Sequence, residues 1–293
     1  MSILIDKSSR VVVQGASGKV AGTHIRLMRE YGTRIVAGVA PGKGGSVQND
    51  LPIYDTLSEA CAATDANVTM IIVPASAVRD AIFEAIDAEM PLAVCVAEGV
   101  PVHDMLMVFE RLRTSKTRLI GPNCPGLVSP GQSLVGFMPK MLTRSGEVGL
   151  ASKSGTLSYE VSYEIVSAGL GQSTWVGLGG DSLKGTSFCD VLPLFADDPA
   201  TRVVVLLGEI GGTDEERAAE LVAAGYPKPV VAFISGESAP AGQTMGHAGA
   251  IISGNKGTYA SKMKALRDAG ISIAKSPHEI AVLCREALAA NVV

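Results

Sequence analysis

Short runs of β-branched and other apolar residues alternate along this chain with longer amphipathic stretches. In the first half the runs occupy residues 11–13, 35–37, 70–73, 92–96 and 119–120, and in the second half residues 148–150, 203–207, 230–234 and 271–273. This alternation is typical of βαβ units, in which an amphipathic helix returns the chain to begin the next parallel strand. The pattern therefore predicts an α/β protein with two doubly wound, parallel sheets.

Glycine and proline mark the division between the two halves. They crowd into residues 121–126 and recur as far as Gly146, a composition that favours a connection over a regular element. We therefore predict a first domain at residues 1–122, an interdomain connection at residues 123–146 and a second domain at residues 147–293.

The composition argues against several classes of protein. The 293 residues carry a net charge of −4, which disfavours nucleic-acid binding because such binding depends on clustered Lys and Arg. No run approaches about 18 apolar residues and no signal peptide is evident, so we expect no membrane span. The expected location is the bacterial cytoplasm or an organellar matrix. The five cysteines lack C-x-x-C spacing, so we expect reduced thiols and no metal site.

A glycine-rich turn follows the first predicted strand, from Gly15 through Gly18 to Ala21. Small residues let the backbone approach a ligand there, and the next helix offers N–H groups to phosphate, so a nucleotide-like ligand is expected. A tight turn without a ligand remains the alternative. After the second strand, where NAD sites usually have an acidic residue, a glycine-rich turn contains Lys43. This cation favours CoA or NADP, with a solvated lysine as the alternative, and no P-loop sequence occurs.

His247 lies in a run of small residues near the end of the chain. Neutral imidazole attacks phosphorus or carbon near physiological pH without a strong base, so a histidine in a glycine loop is a candidate covalent carrier. A surface histidine with no chemical role is the alternative. Capping, packing or solvent exposure is expected to explain the remaining histidines, which are His24, His103 and His278.

Five short motifs occur in the order found in one protein family. They are Pro-Gly-Lys-Gly-Gly at residues 41–45, Gly-Pro-Asn-Cys-Pro-Gly at 121–126, Ser-Gly-Thr-Leu at 154–157, Gly-Glu-Ile-Gly-Gly at 208–212 and Gly-His-Ala-Gly-Ala-Ile at 246–251. With these motifs the chain resembles succinyl-CoA synthetase α subunits over its whole length, and the related malate-CoA ligase small subunits share them. The resemblance implies a Rossmann-like CoA-binding domain followed by a flavodoxin-like ligase domain.

The resemblance also implies a division of labour with a second chain. In this family a β subunit with an ATP-binding domain binds ATP or GTP with Mg²⁺ and phosphorylates a histidine that matches His247. A carboxylate that matches Glu209 hydrogen-bonds the ring. The phosphoryl group passes to succinate, and CoA then displaces phosphate. Malate or another short dicarboxylate remains an alternative substrate, and a CoA- or NADP-binding module without phosphoryl transfer remains an alternative function.

The family motifs assign further residues to binding. Those implied for CoA are Gly15, Ser17, Gly18, Lys19, Val20, Ala21, Lys43, Val73, Pro74, Ala75, Glu98, Asn123, Cys124 and Pro125. Those implied for phosphate or substrate are Ser154, Gly155, Thr156 and Tyr159. Cys124 is expected to be a small buried thiol, since this chemistry uses the sulfur of CoA. Lys153 stands where the family commonly has arginine, which predicts a different contact with a carboxylate because a point charge replaces a planar fork.

Overall fold

The computed structural model describes residues 2–240, 242–252 and 256–290, which form two compact units. The N-terminal unit contains Leu4–Met138 and Leu183–Gly185. The C-terminal unit contains residues 2–3, Pro139–Ser182 and the described chain from Thr186 onward. No helix among the described residues is both long and apolar enough to span a membrane.

The N-terminal unit is built on one mostly parallel sheet. Its strands are β1 (Arg10–Gln14), β2 (Arg34–Val39), β3 (Val47–Gln48), β4 (Leu51–Tyr54), β5 (Val68–Ile71), β6 (Leu92–Cys95) and β7 (Arg118–Ile120). The spatial order is β3-β4-β2-β1-β5-β6-β7, and only the β3–β4 pair is antiparallel. From β4 to β7 this is the Rossmann order, with the crevice for a ligand between β1 and β5.

Among its described residues, this unit has four helices that pack against the sheet, and a side chain caps the start of one of them. They are α1 (Lys19–Tyr31), α2 (Leu57–Thr64), α3 (Val78–Asp87) and α4 (Val102–Leu112), with a 3₁₀ turn at Ala75–Ala77. Thr56 and Glu59 form a capping box at the start of α2. α1 follows Gly18 and, like α3 and α4, begins without a side-chain cap. Its N–H groups therefore point towards whatever occupies the crevice.

Residues 123–146, for which the sequence favoured a connection without regular structure, contain a hairpin. Strands β8 (Gly126–Ser129) and β9 (Ser133–Gly136) pair antiparallel, and a 3₁₀ turn follows at Lys140–Leu142. A Cβ on Gly126 would lie 2.0 Å from the Val135 oxygen, and both Gly126 and Gly136 have positive φ. The glycines that suggested a loop are thus required by the close approach of two strands.

The C-terminal unit repeats the doubly wound plan. Its parallel strands are β10 (Ser145–Ser152), β11 (Gln172–Gly177), β12 (Val203–Glu209), β13 (Val230–Ser235) and β14 (Ser272–Ile273), in the order β11-β10-β12-β13-β14. Its helices are α5 (Gly155–Ser167), α6 (Phe188–Asp197), α7 (Asp214–Ala223), α8 (Tyr259–Asp268) and α9 (Pro277–Ala290). This is the flavodoxin-like strand order. The prediction of an α/β protein with two mostly parallel sheets is confirmed.

Candidate active site

The reactive residues of the C-terminal unit follow the carboxyl ends of three neighbouring strands. Lys153 and Ser154 come directly after β10, Glu209 is the last residue of β12, and His247 lies on the connection from β13 to α8. The strand order reverses between β10 and β12. Ligands of open α/β sheets bind at this kind of switch point, because the connections diverge there and leave a crevice.

His247 and Glu209, which the family resemblance had paired, are in contact. His247 Nδ1 lies 2.6 Å from Glu209 Oε2. The Glu209 side chain is buried, whereas the imidazole keeps 29% of its surface exposed. A carboxylate acceptor selects the tautomer in which Nδ1 carries the proton, which makes Nε2 the basic nitrogen. The pair therefore has the geometry of a nucleophile held by an orienting carboxylate.

Small residues bring the histidine connection close to its neighbours. The Gly249 N–H donates to the Gly180 oxygen at 3.0 Å, and the Ser182 hydroxyl donates to the Ala248 oxygen at 3.2 Å. A Cβ on Gly180 would lie 2.5 Å from Cγ of His247, so the imidazole packs against the bare backbone of Gly180. Sequence reasoning missed Gly180, although its glycine pair after an apolar strand end was a signal of close backbone approach.

The sequence Ser154-Gly155-Thr156 forms the predicted strand-to-helix turn. Ser154 is the N-cap of α5, and its hydroxyl accepts the Leu157 N–H at 3.3 Å. The first turn of α5 contains no acidic residue, so the N–H groups and helix dipole favour an anion there. Tyr159 lies one turn further on, and burial raises the pKa of its phenol.

Beneath this site lies a cluster of buried charges that the sequence did not reveal. Lys153 Nζ is 2.8 Å from Glu215 and 3.4 Å from Asp214. Lys262 Nζ contacts Glu215 at 2.5 Å and Glu216 at 2.9 Å. We call these five residues the buried charge cluster. The carboxylate expected to contact Lys153 is therefore one of the protein's own.

The cluster holds its central groups in their charged forms. Burial alone would lower the pKa of Lys153, but the nearby carboxylates of Glu215, Asp214 and Glu209 outweigh it, and the pKa is raised. Burial alone would raise the pKa of Glu215, but Lys153 and Lys262 outweigh it, and the pKa is lowered. Lys153 stays protonated only as long as these carboxylates remain opposite it.

In the N-terminal unit, the glycine-rich turn lies at the carboxyl ends of β1 and β5. Gly15 has a φ of 86°, and a Cβ there would lie 2.4 Å from the Ile72 oxygen and 2.9 Å from Val73 Cγ1. Only glycine fits this approach between the two strand ends. The turn leads directly into the uncapped first turn of α1, which offers its N–H groups to the crevice.

Two cavities flank this turn and divide the predicted CoA residues between them. A cavity of about 750 Å³ is lined by Gly15, Val73 and Pro74, among others. A second cavity of about 760 Å³ is lined by Ser17, Gly18 and Lys19, among others. Other predicted residues of this group lie near the turn on α1, where Val20 is exposed and Ala21 is buried. Ala75 begins the 3₁₀ turn, and Lys43 and Glu98 are exposed in loops.

Asn123, Cys124 and Pro125 precede β8 in the same unit. The Asn123 N–H donates to the Ala97 oxygen at 2.8 Å, which brings this segment beside the loop after β6. Cys124 is buried, as expected, and its thiol donates to the Cys95 oxygen at 3.1 Å. The burial expected for this thiol is thus confirmed, and its lack of a nucleophilic role stays a prediction.

The other histidines have structural surroundings. The His24 ring stacks on Phe137 with centroids 4.0 Å apart, and burial lowers its pKa. His103 is exposed in the first turn of α4. His278 is exposed on α9, where Nδ1 lies 2.9 Å from Glu164 Oε2.

Comparison with known families defines the class of this protein. The model of the CoA binding domain family matches residues 6–99, and that of the CoA-ligase family matches residues 151–272. The first match covers the glycine-rich turn, and the second covers the His247–Glu209 pair and the buried charge cluster. The chain is thus a CoA ligase in which a CoA-binding domain precedes the ligase domain.

Full-length relatives define the family. The chain is 50% identical over 288 residues to the succinate–CoA ligase [ADP-forming] subunit alpha 2 of Archaeoglobus fulgidus, covering 98% of this chain and 100% of that protein. It is 49% identical over 280 residues to the subunit alpha of Staphylococcus epidermidis, covering 96% and 93%. The chain belongs to the family of succinate–CoA ligase alpha subunits. The family resemblance inferred from the sequence is confirmed.

A solved structure shares the fold at lower identity. ATP citrate lyase of Methanosaeta concilii, in complex with (3S)-citryl-CoA, superposes with a TM-score of 0.87 at 24% identity. The match covers 98% of this chain but only 51% of that protein, so this chain spans about half the length of the lyase.

Proposed function

We propose that this chain is the catalytic alpha subunit of an ADP-forming succinate–CoA ligase and that His247 carries the phosphoryl group. The observation that carries the proposal is the 2.6 Å contact between His247 Nδ1 and Glu209, beside the N-terminus of α5. The relatives, named for succinate and for ADP formation, favour succinate over malate and ATP over GTP. An alpha subunit requires a beta subunit, which would supply the ATP and Mg²⁺ site.

In the first step, Nε2 of His247 attacks the γ-phosphorus of ATP. A P–N bond forms, the P–O bond to ADP breaks, and ADP leaves. The ring gains positive charge as the bond forms, and the Glu209 carboxylate stabilises that charge while it keeps the proton on Nδ1. The phosphoryl group is then close to the N-terminus of α5, where N–H groups of Gly155 and Thr156 and the Ser154 hydroxyl would bind its oxygens.

In the second and third steps, the phosphoryl group leaves the histidine. A carboxylate oxygen of succinate attacks phosphorus, so the P–N bond breaks and succinyl phosphate forms with neutral imidazole regenerated. The thiolate of CoA then attacks the acyl carbon, and phosphate leaves as the C–S bond forms. Tyr159, which follows the phosphate turn, is proposed to contact the substrate.

Binding of CoA is proposed for the N-terminal unit. Its phosphates would accept hydrogen bonds at the turn from Gly15 to Lys19, where no side chain caps α1. The exposed amine of Lys43 would meet a further phosphate, and Asn123, Cys124 and Pro125 would border the thiol end. The 750 Å³ cavity at Gly15, Val73 and Pro74 is large enough for a substantial part of the ligand.

The test is phosphorylation of the complex formed with the beta subunit. With γ-labelled ATP we expect one acid-labile, base-stable label, which maps to His247 and is discharged by succinate and CoA. His247→Asn should abolish the label. His278→Asn is the matched control, because it removes another histidine paired with a glutamate in the same unit.

Two results would contradict the proposal. One is an unlabelled wild-type complex, both with ATP and with succinyl-CoA plus phosphate. The other is full ligase turnover by the His247→Asn complex. Turnover by the chain without a beta subunit would contradict the proposed division of labour alone.

A further inference from the structure

The buried charge cluster is costly to fold, and it lies next to the reactive pair. Lys262 and Glu215 are almost fully buried, and Lys153 is 5% exposed. Removing charges from water is unfavourable unless each one is compensated, and a cluster of apolar residues of similar volume often stabilises a fold as well or better. The stability of the fold therefore does not explain why charged residues lie at this place. A role in positioning the neighbouring His247–Glu209 pair would explain it.

Glu215 connects the cluster to Glu209. Glu215 Oε1 accepts the backbone N–H of Glu209 at 3.2 Å and the Lys153 amine at 2.8 Å. Gly208 makes this possible, because a Cβ there would lie 2.6 Å from the same oxygen. The position of the last residue of β12 thus depends on the side chain of Glu215.

Lys153 connects the cluster to the phosphate turn. Its backbone N–H donates to the Leu207 oxygen at 3.0 Å, which fixes the end of β10 against β12. The next residue, Ser154, is the N-cap of α5. Lys153 therefore stands between the groups proposed to hold the phosphoryl group and the carboxylate that orients His247.

The charge of Lys153 keeps this arrangement intact. Without that charge, the buried charge cluster would contain one lysine, Lys262, and three carboxylates, those of Asp214, Glu215 and Glu216. The carboxylate of Glu209 would lie nearby. Glu215 would then take up a proton or turn away from Glu209, since an uncompensated buried carboxylate is unfavourable. In either case the hydrogen bond to the Glu209 N–H weakens.

We propose that Lys153 is a positioning residue for phosphoryl transfer, which acts by neutralising Glu215 so that Glu215 fixes Glu209 and, through it, His247. The inference rests on the function proposed above. It makes Lys153 neither a ligand of the substrate nor a general acid, because its amine is turned to Glu215 and Asp214.

The test compares charge removal with charge balance in the complex with the beta subunit. The variants are Lys153→Met, Lys153→Met with Glu215→Gln, and Lys153→Arg. We expect Lys153→Met to slow labelling of His247 about 100-fold, the cost of a displacement near 1 Å, with little change in the KM for CoA. The double variant restores the wild-type net charge of the cluster, because one lysine then faces two carboxylates in place of two lysines and three carboxylates. Its amide oxygen still accepts the Glu209 N–H, so most of the rate should return.

A matched control separates positioning from stability. Lys228 donates to the Phe195 and Asp198 oxygens in the same unit, away from the site, so Lys228→Met removes an amine without touching the cluster. It should lower the unfolding temperature but leave the labelling rate unchanged. Lys153→Arg keeps the charge and should label faster than Lys153→Met.

The outcomes distinguish this inference from the function on which it rests. If wild type is not labelled, the proposed function fails and the inference fails with it. If wild type is labelled and Lys153→Met is labelled at the same rate, the inference alone fails. A second outcome also contradicts the inference: Lys153→Met does not fold, and the double variant folds but is scarcely labelled. Restored charge balance should have restored the labelling rate.

Discussion

Replacing Gly180 by alanine tests whether packing of the imidazole sets the reaction rate. The backbone of Gly180 lies outside the left-handed region, so alanine is tolerated there without backbone strain. The new Cβ would lie 2.5 Å from Cγ and 2.7 Å from Nδ1 of His247. The three heavy atoms nearest to the new Cβ all belong to the ring of His247, so the substitution acts first on that ring.

The size of the effect follows from these distances. Non-bonded carbon atoms rest at about 3.5 Å or more, so the ring must move by about 1 Å. The 2.6 Å contact between Nδ1 and Glu209 would lose its alignment, and a displacement of this size costs about 100-fold in rate. In activation free energy this is about 2.7 kcal/mol.

The assay is single-turnover labelling of His247 by γ-labelled ATP in the assembled complex. Gly225→Ala is the control, because Gly225 has a φ of 106° and open space around it, so alanine strains the backbone far from the site. We expect Gly225→Ala to lower the unfolding temperature and keep the rate. A Gly180→Ala complex that is labelled as fast as wild type would refute the argument that this contact positions the imidazole.

Three further predictions follow from the geometry. Gly15→Ala should weaken CoA binding by at least about tenfold in calorimetry, because its Cβ would meet the Ile72 oxygen and its φ disfavours alanine; unchanged affinity would contradict this. Glu209→Gln should slow labelling about 100-fold or more, since an amide keeps the size but not the charge, and a wild-type rate would refute the role of the charge. Burial raises the pKa of Cys284 from 9.0 to about 12, so its thiolate forms first in the unfolded chain and stability falls as the pH rises from 9. At pH 9, iodoacetamide should alkylate Cys284 in denaturant but not in the folded chain, and equal rates would contradict the burial.

Two of the strands found from the sequence, β12 and β13, have uninterrupted apolar runs. β12 and β13 are buried nearly throughout, so their composition alone identifies them. β11 escaped notice because Ser173 and Thr174 interrupt its run. Both are buried, and Ser173 is satisfied by a hydrogen bond with Thr201, 28 residues away, which no local pattern reveals.

The same limit applies to the site. His247 and Glu209 were identified because glycine motifs surround each of them, and their contact across 38 residues was implied only by the family resemblance. Lys262 and Glu215 lie on predicted amphipathic helices, where a charged residue usually faces water. The burial of Glu215 depends on Gly208, in β12, and on Lys153, directly after β10, and only the fold brings these residues together.

Gly208 and Glu215 pack so closely that a larger side chain at either position would displace the other residue. This contact restricts which substitutions the two positions can accept during evolution. An alanine at position 208 would be tolerated only after the glutamate had been shortened, and a shorter acid would no longer reach the lysine. Among homologues, glycine at position 208 and a lysine or arginine at position 153 should therefore accompany glutamate at position 215. Loss of the cation at 153, or a larger residue at 208, should occur only together with a change at 215.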